Sequence, residues 1–298
     1  MIEIKNLTKE YEGKKVVDEL SLSVKKGSIF GFLGPNGAGK TTTIKMIVGL
    51  SGPTSGDISV GYRSDKVENS LTSSANKRYI DKSIIGYMPE DPYFYDRLIA
   101  KEFLSFMADL FPAPMSFRAI LSPPTGGSKE ARNPNTKSIL SKISPTTSLG
   151  RNDRISELLK TVGLGGAANQ KIGNFSKGMK QRLGLAQAII NDPEYLFLDE
   201  PLDGLDPIGR LEFKKIILDL KNKGKTIFFN SHVLSDVEEI CDEIGILNKG
   251  KLIYAGSVKK FAGNDSLEKK FVEVIQNIPA DKSSHSSLRA GTTGKKDE

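Results

Sequence analysis

Residues 34 to 42 read Gly34-Pro35-Asn36-Gly37-Ala38-Gly39-Lys40-Thr41-Thr42: a glycine, four residues, then Gly-Lys-Thr. Glycines at this spacing let successive backbone N–H groups turn inward around a polyphosphate, and a helix start adds partial positive charge. Lys40 is then placed to meet the β- and γ-phosphates, and the Thr41 hydroxyl to ligate Mg²⁺. Far downstream, two carboxylates, Asp199 and Glu200, follow Tyr195-Leu196-Phe197-Leu198. Asp199 can bind Mg²⁺ directly or through water, and Glu200 can polarise an attacking water. Three further signals are weaker. Ser176 and Gly178 can aim a hydroxyl and backbone N–H groups at an anion, His232 follows an apolar run, and Tyr11 offers a flat face to a purine. Each has a plainer use on its own, since serine caps helices, histidine is more often structural and tyrosine sits on surfaces.

These residues can act together only if the elements between them bring them to one place. Ser28 to Leu33 is strand-like and Thr41 to Leu50 helix-like, the context a phosphate loop requires. Ile2 to Leu7 and Val16 to Val24 read as strands with Tyr11 between them, and Asp57 to Val60 as a short strand. Gly61 to Asp81 reads as a polar loop with some local structure, and Ile84 to Met88 as a buried-type strand that exits through Pro89-Glu90-Asp91-Pro92. Helical spacing marks Ala100 to Leu110, then a helix capped by Asp153 and stopped at Gly163, then one opening at Asn174 to Arg182 and running to about Asn191. The 201 to 207 turn leads into a helix over Ile208 to Leu220, and Thr226 to Asn230 is the next strand. Ile244 to Leu247 and Lys251 to Tyr254 form a hairpin. Ligands collect at the carboxyl ends of parallel strands, which sets Asp199, Glu200 and His232 beside the phosphate loop.

Composition narrows the classes. With 298 residues and 38% hydrophobic content the chain suits one large or two ordinary globular domains. No apolar run reaches the length of a membrane span, and the start lacks the pattern of a secretion signal, so a cytoplasmic protein is expected. The single cysteine, Cys241, suits a reducing compartment. A net charge of +7 raises the question of nucleic acid, yet between Pro112 and Arg151 six basic residues and one acidic residue account for +5 of it. That stretch also holds six of the fourteen prolines and no apolar period. It has the composition of a linker or disordered insertion.

Taken in order, the phosphate loop, the Ser176 segment, the Asp199-Glu200 strand end, the Gly204-Leu205-Asp206 loop and His232 resemble the ATP-binding subunit of ABC transporters. The likeness covers residues 1 to 262 apart from 112 to 150. It implies an α/β fold: a P-loop NTPase (RecA-like) core with an antiparallel β subdomain and an α-helical subdomain, in a three-layer sandwich. The helical subdomain would span about 91 to 191, interrupted by the insertion, with 263 to 298 a short helix and disordered tail. The resemblance also implies ATP and Mg²⁺ as cofactors and a homodimer or heterodimer of ATPase subunits. A membrane permease on a separate chain would hold that dimer peripherally on the inner face of the cell membrane. Carried over by position, Tyr11 stacks on adenine, and Gly34, Asn36, Gly37, Gly39, Lys40, Thr41 and Thr42 hold phosphates and metal. Asp199 supports the metal, Glu200 is the hydrolytic base and His232 contacts the γ-phosphate. Ser176 and Gly178 act on the partner's nucleotide and Asp206 lies at the dimer seam.

Two positions depart from the family pattern. Phe175-Ser176-Lys177-Gly178-Met179 stands where many members have Leu-Ser-Gly-Gly-Gln, which adds a cation and looks like the branch serving drug, sodium or copper exporters and similar ABC-2 type permeases. Glu90 stands where a Gln is usual; it can still bind Mg²⁺ and sense nucleotide but cannot donate a hydrogen bond when ionised. The 112 to 150 segment admits three readings: a looped-out disordered insertion, a docking element, or sequence foreign to a working protein. Two other functions compete with an ATPase subunit powering a permease. One is a soluble ABC-type ATPase acting on nucleic acid or the ribosome, the other a catalytically idle regulatory subunit. The first usually carries metal-binding cysteines, a coiled-coil insertion or fused halves, none of which is present, so no nucleic acid partner is expected.

Overall fold

The computed structural model describes residues 1–61, 78–110 and 151–277; the expected insertion, the tail from 278 and most of the 61 to 81 loop lie outside the described residues. The chain opens with β1 (Ile2–Tyr11) and β2 (Lys14–Val24), an antiparallel pair whose turn, Glu12-Gly13, has positive φ at both residues. This two-residue turn makes Tyr11 the last residue of β1, paired with Lys14, and not part of a linker between strands. Then come β3 (Ile29–Leu33), α1 (Lys40–Ile47), β4 (Ser55–Val60), β5 (Arg78–Ile80) and β6 (Ile85–Met88). Three helices follow, α2 (Ala100–Leu110), α3 (Arg151–Thr161) and α4 (Lys177–Ile189), packed on one another. Asp153 falls in the first turn of α3 and does not cap it; there its charge meets the positive end of the helix. The remainder alternates β7 (Tyr195–Asp199), α5 (Pro207–Asn222), β8 (Thr226–Asn230), α6 (Leu234–Ile240), β9 (Glu243–Asn248), β10 (Lys251–Ser257), α7 (Val258–Ala262) and α8 (Leu267–Gln276).

The strands form two sheets. One has the order β2-β1-β4-β5 and is antiparallel except for its β4–β5 edge; the other has the order β10-β9-β3-β8-β7-β6 and is parallel except for β10. Every residue of β3, β7 and β8 is buried, as a parallel sheet covered on both faces demands. The period of two along these strands separates two cores. Phe30, Phe32, Phe197 and Phe228 face α1 and the smaller sheet, with Phe228 within 5.2–5.8 Å of the other three ring centroids. Ile29, Leu33, Leu196, Leu198, Ile227 and Phe229 face the helices on the other side. The result is a three-layer α/β sandwich of smaller sheet, central sheet and helices. Because β6, β7, β8 and β3 run parallel and adjacent, their carboxyl ends share one edge. That edge carries Glu90, Asp199, Glu200, Asn230, His232 and the 34–39 loop.

Candidate nucleotide site

The loop between β3 and α1 lies at the middle of this edge. Gly39 caps α1 with φ 106, and a Cβ there would stand 2.6 Å from the Val16 carbonyl oxygen, so the loop can close against β2 only without a side chain. The loop is held from beneath by Gly250 N–H, which donates to the Ala38 carbonyl at 3.0 Å, and by Lys40 Nζ, which donates to the Gly34 and Pro35 carbonyls at 2.8 and 3.3 Å. Lys40 is buried, and burial lowers its pKa against the opposing pull of Glu200, Asp199 and Glu90. Three carboxylates thus stabilise the one ammonium at the loop's core.

A cleft of about 450 Å³ opens over the loop, lined by Asn36 to Thr42 together with Val16, Glu90, Glu200, Asn230 and His232. At its base, Thr41 Oγ1 lies 3.4 Å from Asp199 Oδ1, which also accepts from Asn230 Nδ2. Asp199 is 1% exposed, and its Oδ2 has no hydrogen-bond partner. Burial raises its pKa, opposed by the bonds from Asn230 and Thr41. An enclosed carboxylate oxygen left unpaired beside a hydroxyl is the donor set a hard cation takes, so these residues fit Mg²⁺. Among the described residues no group of three or more His, Cys, Asp or Glu converges as a metal cage. An ion held here must therefore draw most of its ligands from phosphate and water, as Mg²⁺ does.

Glu200 follows β7 with φ 47, a left-handed conformation that costs a non-glycine residue on the order of 1–2 kcal/mol. The strained turn aims its carboxylate at His232: Oε2 lies 2.8 Å from Nδ1 and accepts from the His232 backbone N–H at 3.2 Å. With Glu200 ionised, Nδ1 carries the proton and Nε2 is left for the cleft. Burial raises the Glu200 pKa, and the contacts from His232 oppose that rise, followed by the charge of Lys40. Burial, with the charges of Asp199 and Glu90, also pushes the Tyr87 phenol up to about 12, so it stays neutral beside the acids.

Of the other residues expected at the site, Glu90 lines the cleft with an exposed side chain, and its carbonyl accepts from Gln181 Nε2 at 3.0 Å. Tyr11 is 49% exposed at the end of β1, outside the cleft lining, with Lys9 Nζ 4.7 Å from its ring centroid. Ser176, Gly178 and Asp206 also stay outside that lining. Ser176 caps α4 by accepting from Met179 N–H at 3.2 Å, and Asp206 caps α5 by accepting from Gly209 N–H at 2.6 Å. Sequence reading passed over Asn230 and Val16, both in the cleft wall, and Gln181, which is buried. Asn230 left a signal, since a polar residue ending an otherwise apolar strand at the ligand edge is out of place unless it has a partner there. Val16 and Gln181 left none.

The family model for ABC transporters matches residues 17–203. An uncharacterized ABC transporter ATP-binding protein of Nostoc sp. is 42% identical over 248 residues, covering 83% of this chain and 61% of that protein, so the chain spans about three fifths of that relative's length. The bacitracin transport ATP-binding protein BcrA of Bacillus licheniformis is 39% identical over 254 residues, covering 85% of this chain and 68% of its own. A solved ATP-binding subunit of an ABC transporter superposes with a TM-score of 0.68 at 26% identity, covering 92% of this chain and 99% of the other. The chain therefore belongs to the ABC transporter family, as one of its ATP-binding cassettes.

Proposed function

We propose that this chain binds and hydrolyses ATP and thereby powers a membrane permease carried on a separate chain. The observation that carries the reading is the convergence, in one cleft, of the 36–42 loop with the Glu200–His232 pair above a buried, half-unpaired Asp199. The loop amides and Lys40 hold the β- and γ-phosphates, and Tyr11, one face of its ring covered by Lys9, offers the other to adenine. Thr41 and Asp199 would hold Mg²⁺, and Glu90, in the same cleft, would be available to it. When bound, the ion supplies charge neutralisation to the phosphate oxygens. Glu200 accepts a hydrogen bond from a water and orients it in line with the γ-phosphorus; the water oxygen bonds to that phosphorus as the bond to the β,γ-bridging oxygen breaks, and the water's proton passes to Glu200 and from there to solvent, leaving ADP and phosphate. His232, tethered through Nδ1, donates to the γ-phosphate from Nε2 in its doubly protonated form.

Ser176, Gly178 and Asp206 lie outside the chain's own cleft, which supports completion of each site by a second subunit, identical or related. ATP would close that dimer and its hydrolysis reopen it, a γ-phosphate-dependent order that the permease can read. Among the described residues no helix is long and apolar enough to cross a membrane, in keeping with attachment through the permease at the membrane's inner face. Likeness to a bacitracin transport subunit supports the drug-exporter branch suggested by the Lys177 variant. Steady-state ATP turnover with and without Mg²⁺ tests the reading. Metal-dependent turnover lost in Lys40→Ala is expected, and a wild-type chain that binds ATP without turning it over would contradict it.

A further inference from the structure

Lys177 is the cation that sets residues 175–179, the signature segment, apart from the family pattern, and its side chain reaches from the start of α4 to the loop after Glu200. Lys177 Nζ lies 2.5 Å from Asp203 Oδ2, and a Cβ on Gly204 would stand only 2.6–2.9 Å from the Lys177 methylenes. A Cβ on Gly178 would meet Leu205 Cδ2 at 3.3 Å and the Gly204 carbonyl at 3.6 Å, so the first turn of α4 lies close against the 204–205 turn. The loop is in turn anchored to the cleft: Asp203 N–H donates to the Glu200 carbonyl at 3.1 Å, and Glu200 N–H to the Asn230 carbonyl at 3.0 Å. Charge extends the connection beyond these contacts. The Lys177 ammonium is favoured first by Asp203 and then by Asp91 and Glu90, and the Asp203 carboxylate first by Lys177 and also by the His232 charge.

We propose that Lys177 and Asp203 form a positioning pair that ties the signature segment of a subunit to its own hydrolytic Glu200, so that the state of one ATP site sets how Ser176 and Gly178 are presented to the other. The inference rests on the ATPase reading given above. Neither residue lines the cleft, so the pair acts through Ser176, Gly178 and Glu200. Both side chains are partly solvent-exposed, and such pairs add little to global stability. Its removal therefore leaves the fold intact and shows in the coupling between sites.

The test uses the full chain as wild type, Lys177→Ala, Asp203→Ala and the charge swap Lys177→Asp with Asp203→Lys, measuring ATP affinity, kcat and the Hill coefficient for ATP. Each single variant is expected to lower kcat about two- to fivefold, the most an exposed pair of this kind can transmit. It is also expected to flatten the Hill coefficient toward one with ATP affinity within about twofold of wild type. The swap should restore both parameters, which general loosening of the segment would not do. Single variants with wild-type turnover and cooperativity overturn the pair, as does a defect in Lys177→Ala that Asp203→Ala does not share. A wild-type chain that turns over no ATP overturns the ATPase reading and the pair with it, an outcome distinct from the other two.

Discussion

At the scale of single residues, the chemistry depends on how burial and hydrogen bonding divide the work among similar side chains. Asp199 and Glu200 are neighbours in sequence with raised pKa values from the same cause, yet one is turned to Thr41 and Asn230 and the other to His232. The contacts that hold Glu200 ionised come mainly from His232. In His232→Ala the side-chain bond and charge are gone, the carboxylate form loses stabilisation and its pKa moves further up. The acid limb of the residual turnover is therefore expected at higher pH than in wild type; a pH–rate profile with an unmoved or lower limb would count against Glu200 as the base. Tyr11 permits a direct optical test, because the chain has no tryptophan. Tyr11→Trp installs a single reporter whose fluorescence should change as ATP saturates, and Tyr11→Ala should weaken ATP binding roughly 10- to 100-fold, the worth of about 1–3 kcal/mol of stacking. An unresponsive tryptophan alongside unimpaired binding would move adenine elsewhere. Placement at this scale was legible where residue type and position coincided: Lys40 and Glu200 line one cleft, and Asp199 lies against Thr41 of the loop. Gln181 escaped because a helix residue's burial depends on what packs over it.

Elements carry these residues to one edge, and their demands can be separated by experiment. Gly37 and Gly39 both have positive φ, 76 and 106, but a Cβ at Gly37 meets nothing within 4 Å whereas one at Gly39 strikes the Val16 carbonyl. Gly39→Ala is expected to destabilise the fold by roughly 2–4 kcal/mol through strain and overlap. Gly37→Ala should cost only about 1–2 kcal/mol, the penalty of the left-handed backbone alone. Denaturant unfolding of the two variants measures the difference, and equal losses would mean that the loop is not pressed onto β2 as described. Periodicity was a reliable guide where one face is buried: Ala100 to Leu110 is helical over the range its spacing indicated. It was a poor guide at ends. Asp153 looked like a cap because a cap and a first-turn acid share the same residue types, and only the backbone distinguishes them. Val258–Ala262 was missed as a helix because five residues hold too little pattern to register.

For the whole molecule, the order of motifs was more informative than any one of them, since parallel strands convert sequence order into adjacency at a single sheet edge. What the chain order could not give is the surface on which a second subunit sits, because contacts between chains leave no period in one sequence. Ser176 and Asp206 cap α4 and α5, Gly178 lies in the first turn of α4, and all three are outside the cleft of their own chain, an arrangement that suits the proposed second subunit. The central claim is that ATP is shared between two subunits and that Glu200 drives its hydrolysis. Sedimentation of Glu200→Gln with ATP and Mg²⁺, with turnover followed on the same sample, tests it most directly. The account predicts turnover reduced by about 10²–10⁴ and an ATP-dependent dimer that ADP does not support. A variant that binds ATP yet stays monomeric, or one that hydrolyses it at the wild-type rate, would contradict it.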